Sequence, residues 1–205
     1  MVGSHEFIDS RSVSNKLKEE LASSSTIAII LSLIIIFGYI LMRFGRWQYS
    51  TGAIIAMMHD VTIVLGIFAA LHGIMPFNMD IDQAFIAAIL TVIGYSINDT
   101  VIVFDRIREN LGLHKSDNEQ NQINRSLNST LSRTINTSMT TFIVLLIIFI
   151  FGGAAIKGFI FALMIGVIVG TYSSVCIATP VLIDFSGMRK SKKPTQKKEV
   201  AAADA

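Results

Sequence analysis

One cysteine, Cys176, stands in 205 residues, so neither a disulfide nor a cysteine-based metal site can form within the chain. Set in an apolar stretch, it reads as a small packing residue. The four histidines are scattered and make no ligand pair at helical spacing, so no metal site is expected. Charge is scarce: Asp, Glu, Lys and Arg make up 16% of the chain, against about 25% in soluble domains. There is no phosphate-binding loop, no nucleophile beside a base and no zinc spacing, which argues against an enzyme and against a cofactor. The first 25 residues are polar and of mixed charge, unlike a signal peptide. The net charge of +2 comes from a tail in which Arg189, Lys190, Lys192, Lys193, Lys197 and Lys198 cluster. A basic tail after an apolar helix is a topology signal rather than a nucleic-acid footprint.

What is abundant is apolar: 52% of the residues are hydrophobic. They gather in five segments, 26–42, 51–74, 84–104, 135–151 and 159–183, each near the roughly 20 residues that a helix needs to cross a bilayer. The expected fold is an all-α membrane protein, a bundle of five transmembrane helices over 26–183. A polar lead-in over 1–25 precedes it, and a basic tail over 184–205 follows. Within the lead-in, 14–24 suits a short amphipathic surface helix or a solvated linker equally. Arg43 and Arg46 lie between the first two segments, and Arg106, Arg108, Lys115, Arg125 and Arg133 between the third and fourth. The connection over 75–83 has no basic residue. Alternate loops therefore carry the positive charge, which puts the C-terminus and the 105–133 connection in the cytoplasm and the N-terminus outside. Within that connection, residues 117–122 are polar and turn-prone. Helical spacing returns at Leu127, Leu131 and Ile135, as in a surface helix leading into the fourth span. Pro180, near the inner end of the fifth, should kink or end that helix.

The most informative stretch is GYSINDTVIVFDRIREN, residues 94–110, which sets Asp99 inside an apolar run. A carboxylate in a membrane helix costs at least about 2.5 kcal/mol on insertion scales, so intramembrane acids usually have a role. Asp99 is about five residues, or roughly 8 Å, from the inner end of its span, and His59 and Asp60 in the second span are about 12 to 14 Å deep. Tyr95, Asn98 and Thr100 add polar neighbours on the same helix. His59 and Asp60 read as a second relay station or, by preference, as a hydrogen-bonded pair in helix packing. In the fourth span, Arg133, Thr137, Thr140 and Thr141 fall at i, i+4, i+7 and i+8, a polar stripe on one face. Arg133 alone would be an interfacial anchor. The stripe leading inward from it makes it a partner for Asp99, favouring the charged form that burial disfavours. Gly166, Gly170, Ser173 and Ser174 repeat at the same spacing in the fifth span and suit close helix–helix approach, with no chemistry assigned.

GYSINDTVIVFDRIREN, HDV at His59–Val61, LSRTINTSMTT from Leu131 and GGAAIKGF with GVIVGTYSS from Gly152 onward together closely resemble the SecF branch of the SecD/SecF protein-export family. The resemblance covers about 14–185. It implies the resistance-nodulation-division architecture, in which SecD and SecF pair as pseudo-symmetric six-helix halves of the cytoplasmic (inner) membrane. It further implies partnership with SecD and the SecYEG channel, and proton-driven help to exported polypeptides. By motif, Asp99 and Arg133 are the proton-relay residues. A first transmembrane helix and a periplasmic domain would precede the matched region, so the chain looks like the C-terminal five-helix part of a SecF half. Rival readings are a proton-driven small-molecule antiporter of the same superfamily and a scaffold in which Asp99 and Arg133 form only a structural ion pair.

The topology is directly checkable in the native complex: a reporter fused after Lys193 should be cytoplasmic and one within 75–83 extracytoplasmic. The opposite labelling would overturn the orientation.

Overall fold

The computed structural model describes residues 3–113 and 119–186. They form α1 (Gly3–Phe44), α2 (Trp47–Leu71), α3 (Gln83–Leu113), α4 (Glu119–Phe151) and α5 (Ala154–Ser173). A π-helical turn (Ser174–Ala178) follows and leads into α6 (Thr179–Ser186). Five stretches are long and apolar enough to cross a membrane: Ser23–Phe44, Trp47–Leu71, Gln83–Leu113, Glu119–Phe151 and Ala154–Ser186. The protein is an all-helical, multi-pass membrane protein. Helices suit these sequences because each satisfies its own backbone where no water is available.

The joints follow from local chemistry. Gly45 takes φ +68° and its N–H donates to the Leu41 carbonyl at 2.8 Å, closing α1 with a left-handed residue that a side chain would disfavour. The chain then turns straight into α2. Gly73, at φ +80°, serves the exit of α2. Asp82 caps α3, its Oδ1 accepting the Phe85 N–H at 2.8 Å. At the other end, exposed ion pairs join Arg43 to Asp105 at 3.0 Å and Arg106 to Glu109 at 2.7 Å. Arg108 donates to the Arg43 carbonyl at 3.0 Å, tying α1 to α3.

α3 is the axis of the bundle, packed against α2, α4 and α5. Its buried face runs from Phe85 through Ile89, Val92, Ser96, Asp99 and Val103 to Ile107. α1 is peripheral and leaves Ile27, Ile30, Leu31, Ile34 and Ile35 exposed, as suits a helix bordering lipid. α5 comes close to α3 because it presents no side chain at two positions. A methyl at Gly166 would collide with Val92, and one at Gly170 would lie 3.0 Å from Ser96 Cβ.

Several sequence expectations shift here. α1 runs unbroken from Gly3 to Phe44, so 14–24 is helical rather than a linker and leads without a break into the span that begins at Ser23. α2 starts at Trp47 rather than 51, and α3 continues to Leu113, well past 104. The surface helix expected from 124 is the first part of α4, continuous with the fourth span. The turn-prone 117–122 falls partly outside the described residues, as does most of the 184–205 tail. Pro180 does not end its helix. Its ring crowds the carbonyl four residues back and it lacks an N–H, and the chain accommodates this by widening into the π turn. Thr179 donates its hydroxyl to the Ser174 carbonyl at 3.2 Å across that turn. The bulge presses on α2, where a methyl at Gly52 would sit 2.8 Å from the Ala178 carbonyl oxygen. Cys176 is exposed on the outer side of the turn, so it is not a packing residue.

The α3–α5 approach sets a stability expectation. Gly170→Leu should cost about 1 to 3 kcal/mol through overpacking, measured by denaturant unfolding of the assembled protein in detergent. Gly94→Ala, at a position with nothing within 4 Å, should be neutral or stabilising. Equal stability of wild type and Gly170→Leu would mean that the two helices do not need this contact.

Candidate functional site

The polar residues of α3 lie one turn apart in the middle of an apolar helix, and their neighbours divide them into two clusters. Asp99 is 2% exposed and Asp60, on α2, 1% exposed. Lysine and arginine form no ion pair with either among the described residues. Both are instead served by hydroxyls, the polar groups that helices can carry at little cost in lipid.

Around Asp99, Ser138 of α4 donates to Oδ2 at 3.4 Å. The same Ser138 oxygen accepts from Tyr95 OH at 3.2 Å and from Thr171 of α5 at 2.6 Å. A serine hydroxyl has one donor and two acceptor positions, so Ser138 is fully used. Three helices thus meet at one serine beside the acid.

One turn earlier on the same buried face of α3, Ser96 donates to Asp60 Oδ2 at 2.6 Å, which also accepts from Ser173 of α5 at 2.9 Å. Its Oδ1 lies 3.2 Å from Nδ1 of His59. Nε2 of that imidazole is 2.7 Å from Tyr172 OH, with the two rings edge to face. Thr100 and Ser174 share a hydrogen bond of 3.0 Å just beyond. Ser173 and Ser174 therefore do more than allow close approach: they bridge α5 and the π turn to polar groups of α2 and α3.

The stripe read on α4 turns away from this centre. Arg133, Thr137 and Thr140 are exposed and Thr141 is half-buried. Each threonine returns its hydroxyl to its own helix, to Arg133 O, Asn136 O and Thr137 O respectively, all at 3.0 Å. Arg133 is not in ion-pair contact with Asp99. Asn98 also points out of the bundle. The face of α4 that is buried carries Gln122, Ser126, Thr130, Thr134 and Ser138. These recur every fourth residue, so the pattern was readable, but the arginine drew attention to the neighbouring line. Ser138, Thr171 and Ser96 are the groups that sequence reasoning missed. Ser126 of the same line accepts from Asn110 at 2.6 Å and fixes the inner end of α4 on α3. Among the described residues, no group of three or more His, Cys, Asp or Glu could hold a metal.

Chemically, the arrangement offers two sheltered carboxylates on adjacent helices, Asp60 on α2 and Asp99 on α3, both hydrogen-bonded through hydroxyls to one turn of α5. Comparison with known proteins gives this a family. The model of "Protein export membrane protein SecD/SecF, C-terminal" matches residues 1–188. The protein translocase subunit SecF of Rhodothermus marinus is 47% identical over 188 residues, covering 92% of this chain and 61% of that protein. SecDF of Brucella abortus is 46% identical over 169 residues, 82% of this chain and 21% of the relative. The crystal structure of SecDF from Thermus thermophilus, described as a translocon-associated membrane protein, superposes with a TM-score of 0.73 at 38% identity. It covers 82% of this chain and 22% of that one. A second SecDF crystal structure, in a super-membrane-facing form, gives a TM-score of 0.75. The chain thus spans about three-fifths of its Rhodothermus relative. With both the sequence match and the shared helix arrangement in place, the chain belongs to the SecD/SecF family of protein-export membrane proteins.

Proposed function

We propose that this chain is the membrane part of a SecF-type translocase accessory, which uses the proton motive force to promote protein export across the cytoplasmic membrane. Asp99 is its proton carrier. The observation that carries the reading is the setting of that acid: 2% exposed, inside a span, with hydroxyls and no cation in contact. A carboxylate so placed is expensive as an anion, so binding and losing a proton changes the local energy substantially. Moving one charge through the membrane potential supplies about 2.3 kcal/mol per 100 mV. That is enough to bias a packing held by individual hydroxyl bonds, each worth about 1 kcal/mol net.

In this reading Arg133 pairs with Asp99 in one state and withdraws in the other; its exposed position here corresponds to the withdrawn state. The exposed polar line Arg133, Thr137 and Thr140, set in a spanning helix, supports a partner helix over that face, because polar side chains within a membrane usually face protein. A SecD half is the natural occupant, since SecDF relatives carry both names in one chain. The SecYEG channel and the emerging polypeptide would be engaged through that assembly. The positive-inside orientation, with the N-terminus outside and the C-terminus in the cytoplasm, belongs to the same proposal.

In the full-length protein assembled with its partners, Asp99→Asn and Arg133→Met should each abolish stimulation of export by an imposed proton gradient. ATP-driven insertion should persist. Both variants must accumulate in the membrane at wild-type levels. Full stimulation in assembled Asp99→Asn protein would refute the carrier role and leave a static polar core.

A further inference from the structure

Asp60 is a buried acid that the carrier reading leaves unused. It is 1% exposed, and its one ion-pair partner among the described residues is His59 at 3.2 Å. Its contacts come from α2, α3 and α5. The titratable side chains that α3 and α5 carry within about a turn of those contacts are Tyr95, Asp99 and Tyr172. Of these, Tyr95 is bonded to Ser138 in the Asp99 cluster, and Tyr172 alone touches the pair, through His59.

We propose that His59 and Asp60 form a second proton-holding site beside the Asp99 cluster, with Tyr172 linking it to the bundle surface. An uncompensated carboxylate in so dry a place is far more costly than one that keeps a proton or a cation beside it. The pair meets that demand by holding one proton between its members, as imidazolium with carboxylate or as imidazole with carboxylic acid. Both forms are neutral overall. The hydrogen bonds identify the oxygen involved. Ser96 and Ser173 both donate to Oδ2, at 2.6 and 2.9 Å, which leaves Oδ1, facing Nδ1, as the oxygen that takes the proton.

A hydrogen-bonded path from the pair to the edge of the bundle is present. His59 has 27% of its side chain exposed, and its Nε2 lies 2.7 Å from the hydroxyl of Tyr172, itself 43% exposed. Starting from imidazole protonated on Nδ1 and an ionised Asp60, an incoming proton binds the Tyr172 oxygen and the original hydroxyl proton passes to Nε2. The Nδ1 proton then passes to Oδ1. Tyr172 ends as it began, His59 has changed tautomer, and Asp60 is neutral. Release runs the same steps backwards. Because Ser173 holds Asp60 while Thr171, two residues earlier, holds Ser138 beside Asp99, loading one acid alters the packing of the other, and that coupling is reciprocal. The site itself rests on its own hydrogen bonds, whether or not Asp99 carries the driving proton.

The test is infrared difference spectroscopy of the full-length assembled protein in membranes through pH steps, in an Asp99→Asn background that removes the other buried acid. A protonated-carboxyl band that rises and falls with pH, together with an imidazole tautomer change, is the expected result. Adding Asp60→Asn should abolish the carboxyl band. Tyr172→Phe should keep the band but slow its exchange after a pH jump by roughly tenfold, the weight of one lost hydrogen bond. No titrating band in the Asp99→Asn protein, or one that survives Asp60→Asn, would overturn the proposal. If Asp60→Asn does not assemble, ¹³C-aspartate labelling identifies the band and Tyr172→Phe carries the test, unchanged exchange then overturning it. Export stimulation plays no part in this readout, so failure of the Asp99 reading would be seen separately.

Discussion

Two acids inside a lipid-facing bundle, neither touching a lysine or arginine among the described residues, are the constraint on which the rest of the structure depends. Water cannot solvate them and no lysine or arginine among the described residues is in ion-pair contact with either, so the direct contacts come from hydroxyls and one imidazole. Ser138 and Thr171 provide it around Asp99, and Ser96, Ser173 and His59 around Asp60. Those groups come from α2, α3, α4 and α5, so the acids tie four helices together alongside the apolar contacts. Of the polar line buried along α4, Ser138 serves this demand directly, while Ser126 bonds Asn110 instead.

Packing makes the compensation geometrically possible. Hydroxyl side chains are short, and they reach an acid on the next helix only if the backbones are close. Gly166 and Gly170 allow that between α5 and α3, and Gly52 allows it between α2 and the π turn. The π turn itself sits immediately after Ser173, and its first residue, Ser174, continues the polar contacts of α5 by bonding Thr100. Such turns recur at functional positions because the extra residue per turn leaves the local hydrogen-bond register open to change. A bundle held at its centre by exchangeable hydroxyl bonds, and flanked by a register defect, suits an element that alternates between two packings.

Much of this was legible in the sequence, and what was not has identifiable causes. Length and apolarity located all five spans, because bilayer thickness acts on every helix alike. Asp99 was legible because an acid in an apolar run is anomalous, and the small residues of α5 because their spacing matched one helix face. The buried line of α4 was not read: Arg133 set the register of the expected stripe, while Thr134 and Ser138 lie one residue further on and so about 100° around the helix. Long side chains reach out from a face that short ones must bury, and the spacing alone does not say which face turns inward. The accommodation of Pro180 was out of reach for a similar reason. A proline defines what the backbone cannot do, and whether the helix stops or widens depends on what packs around it. Ser96 and Thr171, each unremarkable alone, become functional candidates only through partners 36 and 33 residues away.

The central claim is that protonation of Asp99 couples proton entry to movement of this bundle. The most direct measurement is proton flux into proteoliposomes that hold the full-length assembled protein, followed with an entrapped pH-sensitive dye under an imposed gradient. The account predicts inward flux for the wild type and flux at the level of empty liposomes for Asp99→Asn protein reconstituted at equal density. Equal flux through both proteins would contradict it.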